Sequence, residues 1–189
     1  MDYTNNIYMN KLLYITICLW CFLFFLPVQA GNVIVKHPRE NVKSDTTNYV
    51  SVFLAGTIDN GASIDWQQNI VDKMRNFSGN FLLYNPRRSV WDANDKRELE
   101  YQINWELDHL EAADYILMNI LGSSKSPVSL LELGIHIHSG KILLVCDPSY
   151  YRYDNVRITC KKYHVKIYHT IEEALQTIQL WKINTVMPE

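Results

Sequence analysis

The sequence predicts a doubly wound α/β domain of the flavodoxin or Rossmann-like kind, with a five-stranded parallel sheet and helices on both faces. Short, almost continuously apolar runs recur at 49–55, 81–84, 115–121, 141–146 and 165–168. Strands buried on both faces of a parallel sheet read this way, because neither face asks for polar alternation. Helical patterns stand between the runs at 64–77, 96–112 and 127–139, and another at 171–181 closes the chain. Strands alternating with helices of this length give a parallel sheet. Thr170-Ile171-Glu172-Glu173 starts the last helix as a capping box.

The first thirty residues differ from the rest. Lys11 precedes an uncharged apolar run at 12–26, followed by Pro27-Val28-Gln29-Ala30-Gly31. A basic start, an apolar stretch and a small residue predict an export signal cleaved after Ala30. The alternative is an uncleaved membrane anchor, since 12–28 reaches the short end of a spanning helix. Either reading places the protein outside the cytosol or tethered to a membrane. Residues 31–48 are polar, contain Pro38 and lack periodicity, so they read as a linker, with the domain proper at 49–189.

Composition excludes some functions. The chain of 189 residues carries a formal charge of −2, whereas a nucleic-acid polymer calls for a basic face. Four cysteines, two of them in the N-terminal apolar segment, make no disulfide framework. No metal-ligand spacing is present, and His136 and His138, two apart on a helix, face different ways. No metal and no cofactor is expected.

In a doubly wound sheet of order 2-1-3-4-5, ligands bind beyond the carboxyl ends of the first and third strands, where the winding reverses. The segments there are Gly56-Thr57-Ile58-Asp59-Asn60-Gly61 and Gly122-Ser123-Ser124-Lys125-Ser126. Ser126 is placed as the N-cap of the next helix, with Pro127 at its first position. That helix reads as apolar on almost every side and therefore buried. Glu132 then sits where an unpaired charge costs several kcal/mol. Gly134 leaves room for a backbone or a ligand. In the preceding helix Leu99, Ile103, Leu107 and Leu110 form one stripe at about 100° per residue. Glu106 falls inside the stripe and Gln102 at its border.

Two inward carboxylates at a switch-point crevice suit glycosidic chemistry, one attacking carbon while the other manages a proton. The competing account pairs each with an arginine, Arg87 or Arg88, as a structural ion pair. Those arginines could equally bind phosphate bidentately. Asp65-Trp66 and Trp91 could stack on a base or close the core.

The ordered blocks resemble the nucleoside 2-deoxyribosyltransferase-like family. They are Val52-Phe53-Leu54-Ala55-Gly56-Thr57-Ile58 with Asp65-Trp66-Gln67, Asn85-Pro86-Arg87-Arg88 with Trp91-Asp92, and Gln102-Ile103-Asn104-Trp105-Glu106-Leu107 with Ala113-Asp114. Ser126-Pro127-Val128-Ser129-Leu130-Leu131-Glu132-Leu133-Gly134 follows, then Arg152 with Asn155-Val156 and Cys160. The resemblance implies N-glycosidic cleavage or transfer on a small-molecule nucleoside or nucleotide, in a protein that is often a homo-oligomer. It implies Glu132 as the nucleophile that holds a covalent glycosyl intermediate, and Glu106, where studied members commonly have Asp, as the residue assisting the leaving base. Gly56, Thr57 and Asp59 become candidates for sugar or phosphate contact, and Asp65, Arg87, Arg88, Ser126 and Asn155 for further substrate contact. Studied transferases carry a Tyr where Val52 stands and an Asp where Ser126 stands. Two other readings stay open: a nucleotide-binding or sensing module without turnover, and an NAD-cleaving enzyme.

Overall fold

The computed structural model describes residues 31–186 except 43, 90, 91 and 93. The expected export signal or anchor, and Trp91, lie outside the described residues. Among the described residues no helix is long and apolar enough to cross a membrane.

Six parallel strands form one sheet: β1 (Val33–Lys36), β2 (Val50–Gly56), β3 (Phe81–Tyr84), β4 (Tyr115–Ile120), β5 (Ile142–Cys146) and β6 (Ile167–Tyr168). Their order is β1-β3-β2-β4-β5-β6. The five strands expected from the apolar runs thus take the 2-1-3-4-5 arrangement, and a sixth extends the edge beside β3. Val33 pairs with Phe81 and Lys36 with Tyr84.

The sixth strand corrects the reading of 31–48 as a linker. Val33-Ile34-Val35-Lys36 is too short to stand out among polar neighbours, and as an edge strand it is only half buried. Residues 31–39 are nevertheless bound to the domain. The Gly31 amide donates to the Phe77 carbonyl at 2.8 Å. The His37 Nδ1–H donates to the Arg87 carbonyl at 3.0 Å. The Arg39 guanidinium lies 3.6 Å from the centre of the Tyr101 ring and pairs with Glu98 at 2.7 Å.

Successive strand residues face opposite sides, and both sides are apolar. Val52, Leu54, Leu83 and Leu117 pack under α1 (Trp66–Met74), through Trp66, Ile70 and Met74, and under α5 (Ile171–Val186), through Ala174, Leu175 and Ile178. Phe53, Ala55, Ile116 and Met118 face the other way. They meet α2 (Lys96–Ala112) through Trp105 and Leu110, α3 (Pro127–His136) through Leu133, and α4 (Tyr153–Lys162) through Val156 and Cys160. This is the doubly wound arrangement. Helix α4 has no counterpart among the expected elements, because its buried face is only Val156 and Cys160, one turn apart in a polar segment.

Two helix faces differ from expectation. Helix α3 is not buried all round: its inner side is Ser129, Glu132 and Leu133, while Val128, Leu131 (64% exposed) and Ile135 point outward. A Cβ on Gly134 would meet nothing within 4 Å, so no close approach explains that glycine. On α2 the inward residues are Gln102, Trp105 and Leu110, leaving Leu99, Ile103 and Leu107 exposed. Trp105, stacked on His109 and tilted against Phe53, wins the core side of α2 by its larger apolar area.

Candidate active site

The winding reverses between β2 and β4, and their carboxyl ends open into a cleft of about 410 Å³. That is room for a nucleoside-sized ligand. Its floor is the 56–61 turn, one wall comes from α2 and the other from the start of α3.

The strand end that forms the floor requires glycine. Gly56 has φ +124°, and a Cβ there would lie 2.2 Å from the Asn119 carbonyl oxygen. Thr57 then crosses to the neighbouring strand: its amide donates to the Asn119 carbonyl at 2.9 Å, and its Oγ1 accepts the Leu121 amide at 3.0 Å. The Thr57 and Ser126 hydroxyls share a hydrogen bond of 2.6 Å. Ser124 completes the link, donating to Asp59 Oδ1 at 2.6 Å and accepting the Ser126 amide at 3.1 Å. The two switch-point loops are therefore one hydrogen-bonded unit.

Ser126 occupies the N-cap position, yet its side chain caps nothing. Its backbone is left-handed, φ 42° and ψ 50°, a conformation that costs a serine about 1–3 kcal/mol. The twist turns the hydroxyl from the helix end towards Thr57 and Ser124, where it lines the cleft. Ser129 and Glu132 follow one and two turns along α3, on the same wall.

Glu132 is 8% exposed. Among the described residues its carboxylate meets no cation and accepts no hydrogen bond. Burial, and then the nearby charge of Glu106, push its pKa up to about 8. Glu106 faces it from α2, also raised by burial, with a hydrogen bond from Gln102 pulling the other way. The Gln102 Nε2 donates to Glu106 Oε1 at 2.8 Å and to the Pro86 carbonyl at 2.9 Å. Both carboxyls line one cleft, and the charge of Glu106 adds to burial in disfavouring the ionised form of Glu132.

The arginines do not pair with these acids. Arg87 spends its five N–H donors on the loop after β2 and on Gln67 of α1. Nε donates to Gln67 Oε1, Nη1 to the Gly61 and Ser63 carbonyls, and Nη2 to Ser63 Oγ and the Ile64 carbonyl. In this structure it is a strut, its donors taken up by the protein's own acceptors. Arg88 lines the cleft, donating to Glu98 Oε2 at 3.0 Å and reaching Gln102 Oε1 at 3.5 Å.

The structure thus brings Glu132, Glu106, Gly56, Thr57, Asp59, Arg88 and Ser126 to one cleft. It leaves three expected residues outside. Asp65 caps α1, accepting the Gln68 amide at 3.0 Å, and lies 3.4 Å from Arg87. Arg87 is committed to the loop. Asn155 is exposed on α4, about 100° round the helix from the inward Val156. Trp66 belongs to the core, its Nε1 donating to the Thr57 carbonyl at 2.9 Å. Phe53, Ser129 and Gln102 line the cleft as well, and sequence reasoning gave none of them a role. Gln102 left a trace in the sequence, a polar side chain on the border of an apolar stripe.

A family model for nucleoside 2-deoxyribosyltransferase-like proteins matches residues 49–150, from the start of β2 to just before α4. The chain belongs to the nucleoside 2-deoxyribosyltransferase-like family. The match includes both switch-point loops, α2 and α3, and so the whole of the cleft. No curated protein matches the chain. As a member of this family, the protein has a fold and a pocket suited to nucleoside-type small molecules and to glycosyl transfer.

Proposed function

We propose that this domain breaks the N-glycosidic bond of a nucleoside or nucleotide through a covalent glycosyl ester on Glu132. The observation that carries the reading is the pair of buried cleft carboxyls that, among the described residues, meet no cation. A structural ion pair would neutralise them, and a passive binding module gains nothing from an uncompensated buried charge.

In the reactive arrangement Glu106 carries a proton and Glu132 carries the charge. An ionised Glu132 oxygen attacks the anomeric carbon. The carbon–nitrogen bond breaks, its electron pair leaves with the base, and Glu106 supplies the proton that neutralises the base. Water then attacks the anomeric carbon of the ester, giving its proton to Glu106, and Glu132 departs as carboxylate. If a second base takes the place of water, the same steps run as transfer. In this reading Gly56, Thr57, Ser126 and Arg88, which line the cleft, hold the sugar and any phosphate on it.

Base release from nucleosides, nucleoside monophosphates and NAD, followed by chromatography, tests the proposal, and release from none of them overturns it. The coupled pair also sets the pH dependence. Activity needs one proton on the pair. It should fall at low pH as Glu132, whose ionisation burial delays to about pH 8, takes up a proton, and fall again at higher pH as Glu106 ionises. A flat profile between pH 5 and 9 would contradict these two roles.

We also propose that the domain assembles as a homo-oligomer through the outer faces of α2 and α3. Leu99, Ile103 and Leu107 on one helix, with Val128, Leu131 and Ile135 on the other, expose six large apolar side chains on either side of the cleft. Leu99, Ile103 and Val128 also line it, so a second copy seated there would narrow its mouth. Light scattering should show more than one copy per particle, and Leu131→Glu should shift it towards monomer. A monomeric parent protein at micromolar concentration would refute the assembly.

A further inference from the structure

We propose that Gln102 is a positioning residue that decides which oxygen of Glu106 carries the working proton, an inference that rests on the reading of Glu106 as the proton donor.

The amide of Gln102 is fixed by its partners. Its Nε2 faces two acceptors, the Pro86 carbonyl and Glu106 Oε1, at 2.9 and 2.8 Å. Its Oε1 faces a donor, Arg88 Nη1, at 3.5 Å. Turning the amide over would set carbonyl against carbonyl and carboxylate, and NH₂ against guanidinium. Gln102 is 5% exposed, so no solvent competes for these contacts.

A side chain that can only donate at Glu106 Oε1 keeps a proton off that oxygen. When Glu106 is neutral its proton is therefore favoured on Oε2, the oxygen to which Gln102 does not donate. One turn of helix separates the two residues, so the constraint is built into α2 itself. The other end of the amide ties α2 to the 85–88 loop, through Pro86 and Arg88. The charged groups facing Glu106 are few: Glu132 across the cleft from α3, Asp59 on the floor, and Arg88, which reaches it through Gln102.

Removing the donor should free the Glu106 carboxyl to rotate and make it a weaker acid. Gln102→Met keeps the volume and loses both N–H groups. In that variant kcat should fall about 10–100-fold, within the range of a mispositioned general acid, while KM changes little. The alkaline limb of the pH profile should move to higher pH, because the Glu106 anion loses the hydrogen bond that favours it. In the Gln102→Met, Glu106→Gln double variant the Gln102 change should add no further loss, since a residue acting only through Glu106 has nothing left to position.

A measurement on the unaltered protein covers the case in which Gln102→Met does not fold. The ¹⁵N side-chain amide signals of Gln102 should shift with the same midpoint as the Glu106 carboxyl carbon during a pH titration. Amide signals that stay still while Glu106 titrates overturn the proposal. So does a Gln102→Met loss that multiplies with the Glu106→Gln loss. Full base release by both Glu106→Gln and Glu132→Gln would instead sink the functional reading, and the amide titration would still report on the Gln102–Glu106 contact.

Discussion

Glu132→Gln is expected to lose base release by on the order of 10³-fold or more, because an amide cannot form the glycosyl ester. The same variant should melt no lower than the parent. Its stability advantage should depend on pH in a definite direction. Burial raises the folded-state pKa of Glu132 from the ordinary 4.5 to about 8, so the folded protein holds a proton that the unfolded chain releases. Below about pH 4.5 both states are protonated and Glu132 costs the fold nothing. As pH rises from 4.5 to about 8 the parent loses stability, because folding must retain that proton or bury the charge. The upper bound on this loss is roughly 5 kcal/mol, lessened by any water in the cleft. The glutamine variant has no such slope. Thermal melts of both proteins at pH 4.5, 6 and 8 should therefore diverge upward in pH, with the variant ahead. A variant that unfolds at every pH would show that Glu132 holds the fold together through a partner. A stable variant that still releases base would end its role as nucleophile.

Much of the fold was legible because a parallel sheet writes itself strongly into a sequence. The apolar runs at 49–55 and 115–121 and the helical patterns between them sufficed to place the switch-point loops, and with them the cleft. What stayed hidden had weak apolar signatures. Val33–Lys36 is half buried at an edge, and Tyr153–Lys162 buries only two side chains. Glu132 was visible as a charge in apolar company, although α3 is not buried all round. The apolar residues around it are divided between a core face and an exposed face, and periodicity alone cannot say which face meets solvent. In α2 the four-leucine-type stripe was read as the core side, whereas Trp105 took that side and turned Leu99, Ile103 and Leu107 outward. Glu106 still reached the cleft, because the cleft lies at the border between the two faces. Arg87 is the clearest case of a residue that sequence cannot assign. A guanidinium suits phosphate and backbone carbonyls equally, and only the fold shows which of them surrounds it.

That surrounding makes Arg87→Ala the other variant with a large expected effect. Five hydrogen bonds from one charged group hold residues 61–64 and Gln67 to the 85–88 loop. The Gln67 side chain is wholly buried, and its Nε2 has no partner among the described residues, so Arg87 is its polar anchor. Losing the guanidinium strands Gln67 Oε1 in the interior, while the carbonyls of Gly61 and Ile64 lie nearer the surface and can turn to water. Weighing one stranded buried acceptor against several rehydrated ones gives a cost of about 2–4 kcal/mol. Arg87→Lys should recover little of it, since an ammonium cannot meet acceptors spread around a planar fork. The loop that loosens also carries Asp59, Asn60 and Gly61, the floor of the cleft. Substrate binding should therefore weaken for nucleosides and nucleotides alike, with KM rising more than kcat falls. Chemical denaturation gives the stability loss, and parallel KM values for a nucleoside and its monophosphate give the selectivity. A stable Arg87→Ala protein that loses only the monophosphate would return Arg87 to the phosphate site and overturn its assignment as a strut.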